Sequence, residues 1–326
     1  MFTKRLALHC KFTTSCEQNP VKGIEMKWIY RIRRKICFLK GDNRGVARWS
    51  GKITTHQIKK ILQTKFKENI PPIVLLEINS TCNYKCPFCP QSSHRRPEQY
   101  MTMNSFLLVI RKLEEIQFAG TISLTGNNES FMHPLMVEFC RIISERLMYA
   151  KCSFTTNGSL ISREQWEQLC KLPRPPSIDV NDYTAEQSTT RKFNEFLSSI
   201  PESSRIQLTI RKRSHSEKHG NRAGNQPGDF HPENYRDIIC TWPFMGMFVA
   251  WNLKVYLCCS DYLHEVILGD LSTQAIMDVW QSPGYKQIRT KMLSTQRADI
   301  AFCRNCESDW YVLPEHLSAL TTGGNP

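Results

Sequence analysis

The chain has 326 residues, 40% of them hydrophobic and 22% charged, with 43 Lys and Arg against 30 Asp and Glu and a net charge of +13. This composition excludes a disordered chain, and no apolar run approaches the ~18–20 residues of a membrane helix. The charge is uneven: residues 1–70 hold 17 Lys and Arg against 4 acids, and residues 71–326 hold 26 of each. The excess therefore belongs to a basic N-terminal extension, and the body has no overall attraction for nucleic acid.

Residues 1–70 contain RIRRK (31–35) and a short helical pattern at 55–68; Met26 is an alternative start. The apolar stretch Leu6–Leu8 is too short for a signal-peptide core, which gives a cytosolic expectation. Pro71-Pro72 marks a stiff boundary. Strands and helices then alternate: strand 73–78, helix 104–118, strand 121–124, helix 134–148 opened by Pro134, and strand 152–155. A helix at 163–171 follows, with Ser162 and Gln165 as a capping box, then strand 178–180, helix 184–199 and strand 206–210. Such repeats imply an α/β fold with a parallel sheet, open or closed into a full or partial barrel. Residues 211–236 read as a polar loop. A hairpin (247–251, 254–257) and two short helices (273–281, 283–293) complete a small cysteine-rich region. The expected division is 1–70, 71–235 and 236–326.

Fourteen cysteines in a large chain without a signal point to metal or redox chemistry rather than a disulfide framework. Cys82, Cys86 and Cys89 form a CxxxCxxC directly after the first strand, at the end where α/β barrels place their chemistry. Three thiolates on a tight loop can hold three irons of a 4Fe–4S cluster and leave the fourth iron open; zinc, with His94 as a fourth ligand, is the alternative. Cys240, Cys258, Cys303 and Cys306 offer four thiolates that would close a zinc site or a fully ligated cluster, with Cys259 an alternative to Cys258. Cys140, Cys152 and Cys170 read as small core residues. His215 and His219 read as loop residues.

CxxxCxxC with Phe88 before the third cysteine resembles the signature of the radical S-adenosylmethionine superfamily. The resemblance implies a partial (βα)6 TIM-like barrel and a 4Fe–4S cluster whose open iron is chelated by S-adenosyl-L-methionine. It further implies cleavage to a 5′-deoxyadenosyl radical that abstracts a substrate hydrogen, and a flavodoxin- or ferredoxin-type reducing partner. It places Phe88 against the adenine, and it places Glu129, Asn157 and Gly158 on the cofactor, after the second and third strands. Asn127-Asn128 stand where the family has two glycines. The C-terminal pattern is similar to the twitch domain, the one-cluster form of the α+β SPASM domain, and implies a second, auxiliary 4Fe–4S cluster. Asn221-Arg222-Ala223-Gly224 resembles a stretch that supplies an arginine at the substrate, so Arg222 becomes a candidate catalytic residue; Asp261, just after the hairpin, is a second.

Two clusters in one enzyme fit oxidation of a carbinol in a sugar or aminocyclitol-like polyol, as in dehydrogenases of this family. The alternatives are a peptide maturase forming crosslinks or epimers, and an RNA-binding or tRNA-modifying protein that uses the basic arm.

Overall fold

The structure, a computed structural model, describes residues 70–183, 206–214 and 220–307 except 227 and 229, together with 59, 60, 62, 63 and 66. The basic extension, most of the 55–68 pattern, the 184–199 helix and His215 and His219 lie outside the described residues.

Among the described residues eight strands form one sheet, in the order β5-β4-β3-β2-β1-β6-β7-β8. β1 (Ile73–Glu77), β2 (Thr121–Ser123), β3 (Lys151–Thr156), β4 (Ser177–Asp182) and β5 (Leu208–Lys212) are parallel neighbours in sequence order. This is the parallel sheet the sequence predicts. The hairpin is also present as β6 (Gly246–Ala250) and β7 (Lys254–Tyr256), with β8 (Ile267–Asp270) antiparallel beyond it.

A sixth parallel strand joins the sheet at an edge the strand count alone did not indicate. β6 pairs with the free side of β1, from Ile73 opposite Gly246 to Glu77 opposite Ala250, and not with β5. The physical reason lies in composition. β1 (IVLLE) and β6 (GMFVA) are apolar enough to be covered on both sides, whereas β5 (LTIRK) is mostly exposed and suits an edge.

Helix α1 (Met103–Glu115) starts where the Thr102 hydroxyl accepts Ser105 N–H at 3.1 Å, and it buries Phe106, Val109, Ile110 and Leu113. Helix α2 (Met136–Arg146) begins two residues after Pro134, because Leu135 N–H first donates to His133 Nδ1 at 3.1 Å. Phe106 of α1 stacks on Phe139 of α2, with centroids 3.9 Å apart. Helix α3 (Arg163–Cys170) carries both bonds of the capping box, Gln165 N–H to Ser162 Oγ at 3.1 Å and Ser162 N–H to Gln165 Oε1 at 2.9 Å. Helices α4 (Trp242–Met245), α5 (Ile276–Trp280), α6 (Pro283–Leu293) and α7 (Ala301–Arg304) belong to the cysteine-rich region. From the 55–68 pattern, Leu62 is buried and the Phe66 ring lies 5.2 Å from Phe244 of α4.

The strand period of two separates the sheet's faces. Val74, Leu76, Ile122, Phe154, Ile178 and Val249 pack against α1 to α3 in the main core, and Cys140 and Cys152 lie there as free thiols 3.9 Å apart. The opposite face carries Ser123, Ser153, Thr155, Asp179 and Asn181, all half-buried. Leu76 is fully buried at the centre of β1. Leu76→Ala is expected to cost about 2–5 kcal/mol, read as a lower denaturant midpoint with an unchanged slope.

Candidate active site

The chain after β1 makes a loop closed at its base. Ser80 N–H donates to Gln99 O at 3.1 Å and Met101 N–H to Ile78 O at 2.7 Å, while Asn79 bridges Tyr100. Cys82, Cys86 and Cys89 sit on this loop in one cluster with Tyr84, Phe88 and Tyr183. Phe88 stacks on Tyr183 at 6.0 Å and 28°. Burial, helped by Glu129 and the other two thiols and only partly opposed by Tyr84 N–H, pushes the Cys82 thiol up to about 12. His94 is exposed.

The residues expected beside the cofactor converge on this loop. Glu129 is 2% exposed. Its carboxylate accepts the Thr156 hydroxyl at 2.6 Å, Asn157 N–H at 2.7 Å and Phe131 N–H at 3.2 Å. Burial still outweighs these bonds and raises its pKa. Asn157 Nδ2 reaches Asn83 Oδ1 at 2.9 Å and Cys82 Sγ at 3.9 Å. Gly158 has φ +76°, a left-handed turn natural to glycine. Asn127 and Asn128 have side-chain work that glycines could not do: Asn127 Nδ2 donates to Cys259 O at 2.8 Å and Asn128 Nδ2 to Asn79 Oδ1 at 2.8 Å.

Sequence reasoning missed the buried group that joins these parts. Arg96 donates to both Glu77 oxygens at 2.7 and 3.0 Å, and to Ser80 O at 3.0 Å. His264 Nε2 lies 3.2 Å from Glu77 Oε2 and 2.9 Å from Arg96 Nη1. Asn127 N–H adds a bond to Glu77 Oε1 at 2.9 Å. Arg96 also lies 4.5 Å over the Tyr262 ring, and Tyr262 donates to His94 O. Burial raises the Glu77 pKa, but His264 and Arg96 more than offset it and hold the carboxyl below the usual range. No local motif signals this group, because its members come from four separate segments.

In the second set Cys240 and Cys258 are half-buried and Cys303 and Cys306 buried. Cys240, Cys258 and Cys303 share one apolar cluster with Leu257 and Ile288. Cys259 is buried with Trp242, Phe248 and Tyr256, a cluster against which Cys240 and Cys258 also pack, and its Sγ lies 4.0 Å from Arg222 Nη1. Arg222 and Ala223 both have positive φ, +50° and +57°. Their turn is held by Asn221, which donates to Asn305 O at 2.6 Å, and by Gln226, which donates to Pro87 O. Asp261 is fully buried and faces its own loop: its two oxygens accept Glu265 N–H at 2.8 Å and Val266 N–H at 2.9 Å. Burial nevertheless raises its pKa against those bonds.

Two family matches divide the chain at these two sets: residues 76–201 match the radical SAM superfamily and residues 240–307 match SPASM, an iron–sulfur cluster-binding domain. The chain belongs to the radical S-adenosylmethionine superfamily and carries a SPASM domain. This radical SAM protein is 22% identical over 237 residues to the S-adenosyl-L-methionine-dependent 2-deoxy-scyllo-inosamine dehydrogenase of Niallia circulans, covering 72% of this chain and 92% of that one. It is similar in fold to BtrN in complex with AdoMet and 2-DOIA, with TM-score 0.65, 21% identity and coverage of 73% and 94%. An open conformation of BtrN superposes with TM-score 0.58 at 18% identity, covering 76% of this chain and all of that one.

The donor sets of this radical SAM protein fit iron–sulfur clusters. Among the described residues no group of three or more His, Cys, Asp or Glu side chains is arranged to hold a metal ion; the fit lies in the donor chemistry, since both sets consist of thiols. The first set supplies three thiols and no fourth ligand, as an open cluster needs. The second supplies four, and Arg297 is buried beside them with Nε and Nη1 lacking an acceptor among the described residues.

Two predictions follow from this geometry. Breaking the buried pair with Glu77→Gln should cost about 3–5 kcal/mol at neutral pH. The Glu77 contribution is present above its unfolded pKa and lost as pH falls through the lowered folded value, so the gap between wild type and variant in denaturant titrations should narrow on acidification. At the hairpin, Cys258→Ala should lose the auxiliary cluster and about four irons per chain, whereas Cys259→Ala should keep them, as read by iron analysis and electron paramagnetic resonance.

Proposed function

We propose that this radical SAM protein is a dehydrogenase that oxidises a carbinol of a sugar or aminocyclitol-like polyol. The observation that carries the reading is the sheet face opposite α1 to α3. Buried strands in α/β proteins are ordinarily apolar on both faces; here Leu75 and Phe248 on β1 and β6 give way across β2 to β4 to Ser123, Ser153, Thr155, Asp179 and Asn181, of which Asp179 and Asn181 also meet Arg211 and Arg213. Such a surface suits a ligand rich in hydroxyls, which would leave buried polar groups unpaired in an apolar cleft. The name of the Niallia circulans relative supports the same substrate class.

In this reading residues 71–235 are the radical core and 236–326 the auxiliary domain. Cys82, Cys86 and Cys89 would hold the first cluster, and Cys240, Cys258, Cys303 and Cys306 the auxiliary one. When bound, these groups and S-adenosylmethionine supply a hydrogen-abstracting 5′-deoxyadenosyl radical and a one-electron acceptor. Phe88, Glu129, Asn157 and Gly158 would seat the S-adenosylmethionine. Thr156 and the backbone of Phe131 and Asn157 fix the Glu129 carboxylate in advance of binding. Arg222 would orient a substrate hydroxyl with its planar donor fork. Asp261 has a positioning role, shaping the loop that carries Tyr262 and His264. Net, the carbinol loses a hydrogen atom, a proton and an electron and becomes a carbonyl. A flavodoxin- or ferredoxin-type protein would supply the electron that starts the reaction.

The test is anaerobic reconstitution and turnover with a panel of polyols and aminocyclitols. One 5′-deoxyadenosine per carbonyl product is expected. A large excess of 5′-deoxyadenosine over product, or turnover with a peptide alone, would sink the dehydrogenase assignment.

A further inference from the structure

Arg297 lies in a short turn, Arg297–Asp299, between α6 and the CxxC pair. It is 2% exposed, yet among the described residues no carboxylate reaches it. Cys306 O accepts its Nη2–H at 2.9 Å, and among the described residues Nε and Nη1 have no hydrogen-bond acceptor. The groups whose negative forms act most strongly on it are the thiols of Cys306, Cys240 and Cys303. A guanidinium stays charged under all ordinary conditions and is costly to bury without a counter-charge. Neutral thiols give it none. Thiolates shared with an iron–sulfur cluster would, and its sulfides would be acceptors for the open Nε and Nη1 donors.

We propose that Arg297 is the built-in counter-cation of the auxiliary cluster and raises that cluster's reduction potential, so that it accepts the electron left on the substrate. This rests on the reading that Cys240, Cys258, Cys303 and Cys306 hold a cluster. Adding an electron makes the cluster more negative, and a fixed positive charge in a dry site favours the more negative state. Hydrogen bonding and net charge around the sulfurs are recognised levers on such potentials. Arg297 is a positioning residue in this role, since nothing places it at the substrate.

The experiment uses full-length chain in which Cys82, Cys86 and Cys89 are all alanine, so that any iron–sulfur signal comes from the second set. Redox titration followed by electron paramagnetic resonance is compared for this background and for the same background with Arg297→Gln or Arg297→Lys. The Gln form should hold its electron at least tenfold less tightly, a midpoint about 59 mV lower for one electron. The Lys form should stay within that margin of the background. An unchanged midpoint in a Gln form that keeps its cluster would overturn the proposal. So would loss of iron from both the Gln and Lys forms, which would make Arg297 a packing residue. No cluster signal in the background itself would instead remove the underlying reading of the four cysteines.

Discussion

Glu77 and Arg96 form a charged pair in a place where neither charge could stand alone. Glu77 ends the central strand, Arg96 ends the cysteine loop, and His264 reaches them from the loop between β7 and β8 in the SPASM region. The backbone of Asn127 completes the carboxylate's shell. Both faces of the site are thereby referred to one point. The loop carrying the first thiols cannot swing away from β1 without uncovering a guanidinium. The loop carrying Tyr262 cannot leave without removing a donor from a fully buried carboxylate. Electrostatic pairing of this sort gives little net stability against an apolar alternative, but it penalises every arrangement in which a partner is missing.

Amides add further cross-links around the site, one of them into the SPASM region. Asn127 links the β2 loop to Cys259, Gln91 links the cysteine loop to Ser80 and Asn127, and Gln226 links the Arg222 turn to Pro87. Where the superfamily pattern has two glycines, this chain has Asn127 and Asn128. The exchange gives up backbone freedom for specific cross-links into the hairpin loop. That makes the β2 loop part of the seam between the regions as well as part of the proposed cofactor wall.

Much of the architecture was legible in the sequence. The strand–helix alternation, the Ser162 capping box, the hairpin and the cysteine spacings all rest on contacts within a few residues, which local patterns encode. The superfamily and the SPASM region were legible for the same reason. The placement of β6 on β1 was not, because strand order is decided by which edges are apolar enough to be covered. Arg96, His264, Tyr183 and Arg297 were not legible either. Each looks like an ordinary surface residue in its own segment, and acquires meaning from partners far along the chain. Asp261 shows the converse. Its position after the cysteine hairpin suggested an acid turned toward chemistry, whereas its oxygens are bonded to amides of its own loop.

The parallel pairing of β1 with β6 has a consequence during synthesis. About 170 residues separate the two strands. At translation rates of about 5–20 residues per second, β1 must wait roughly 10–30 seconds for the neighbour that covers its second edge. Through that interval an apolar strand stands half-paired on the ribosome, next to a loop of three reactive thiols.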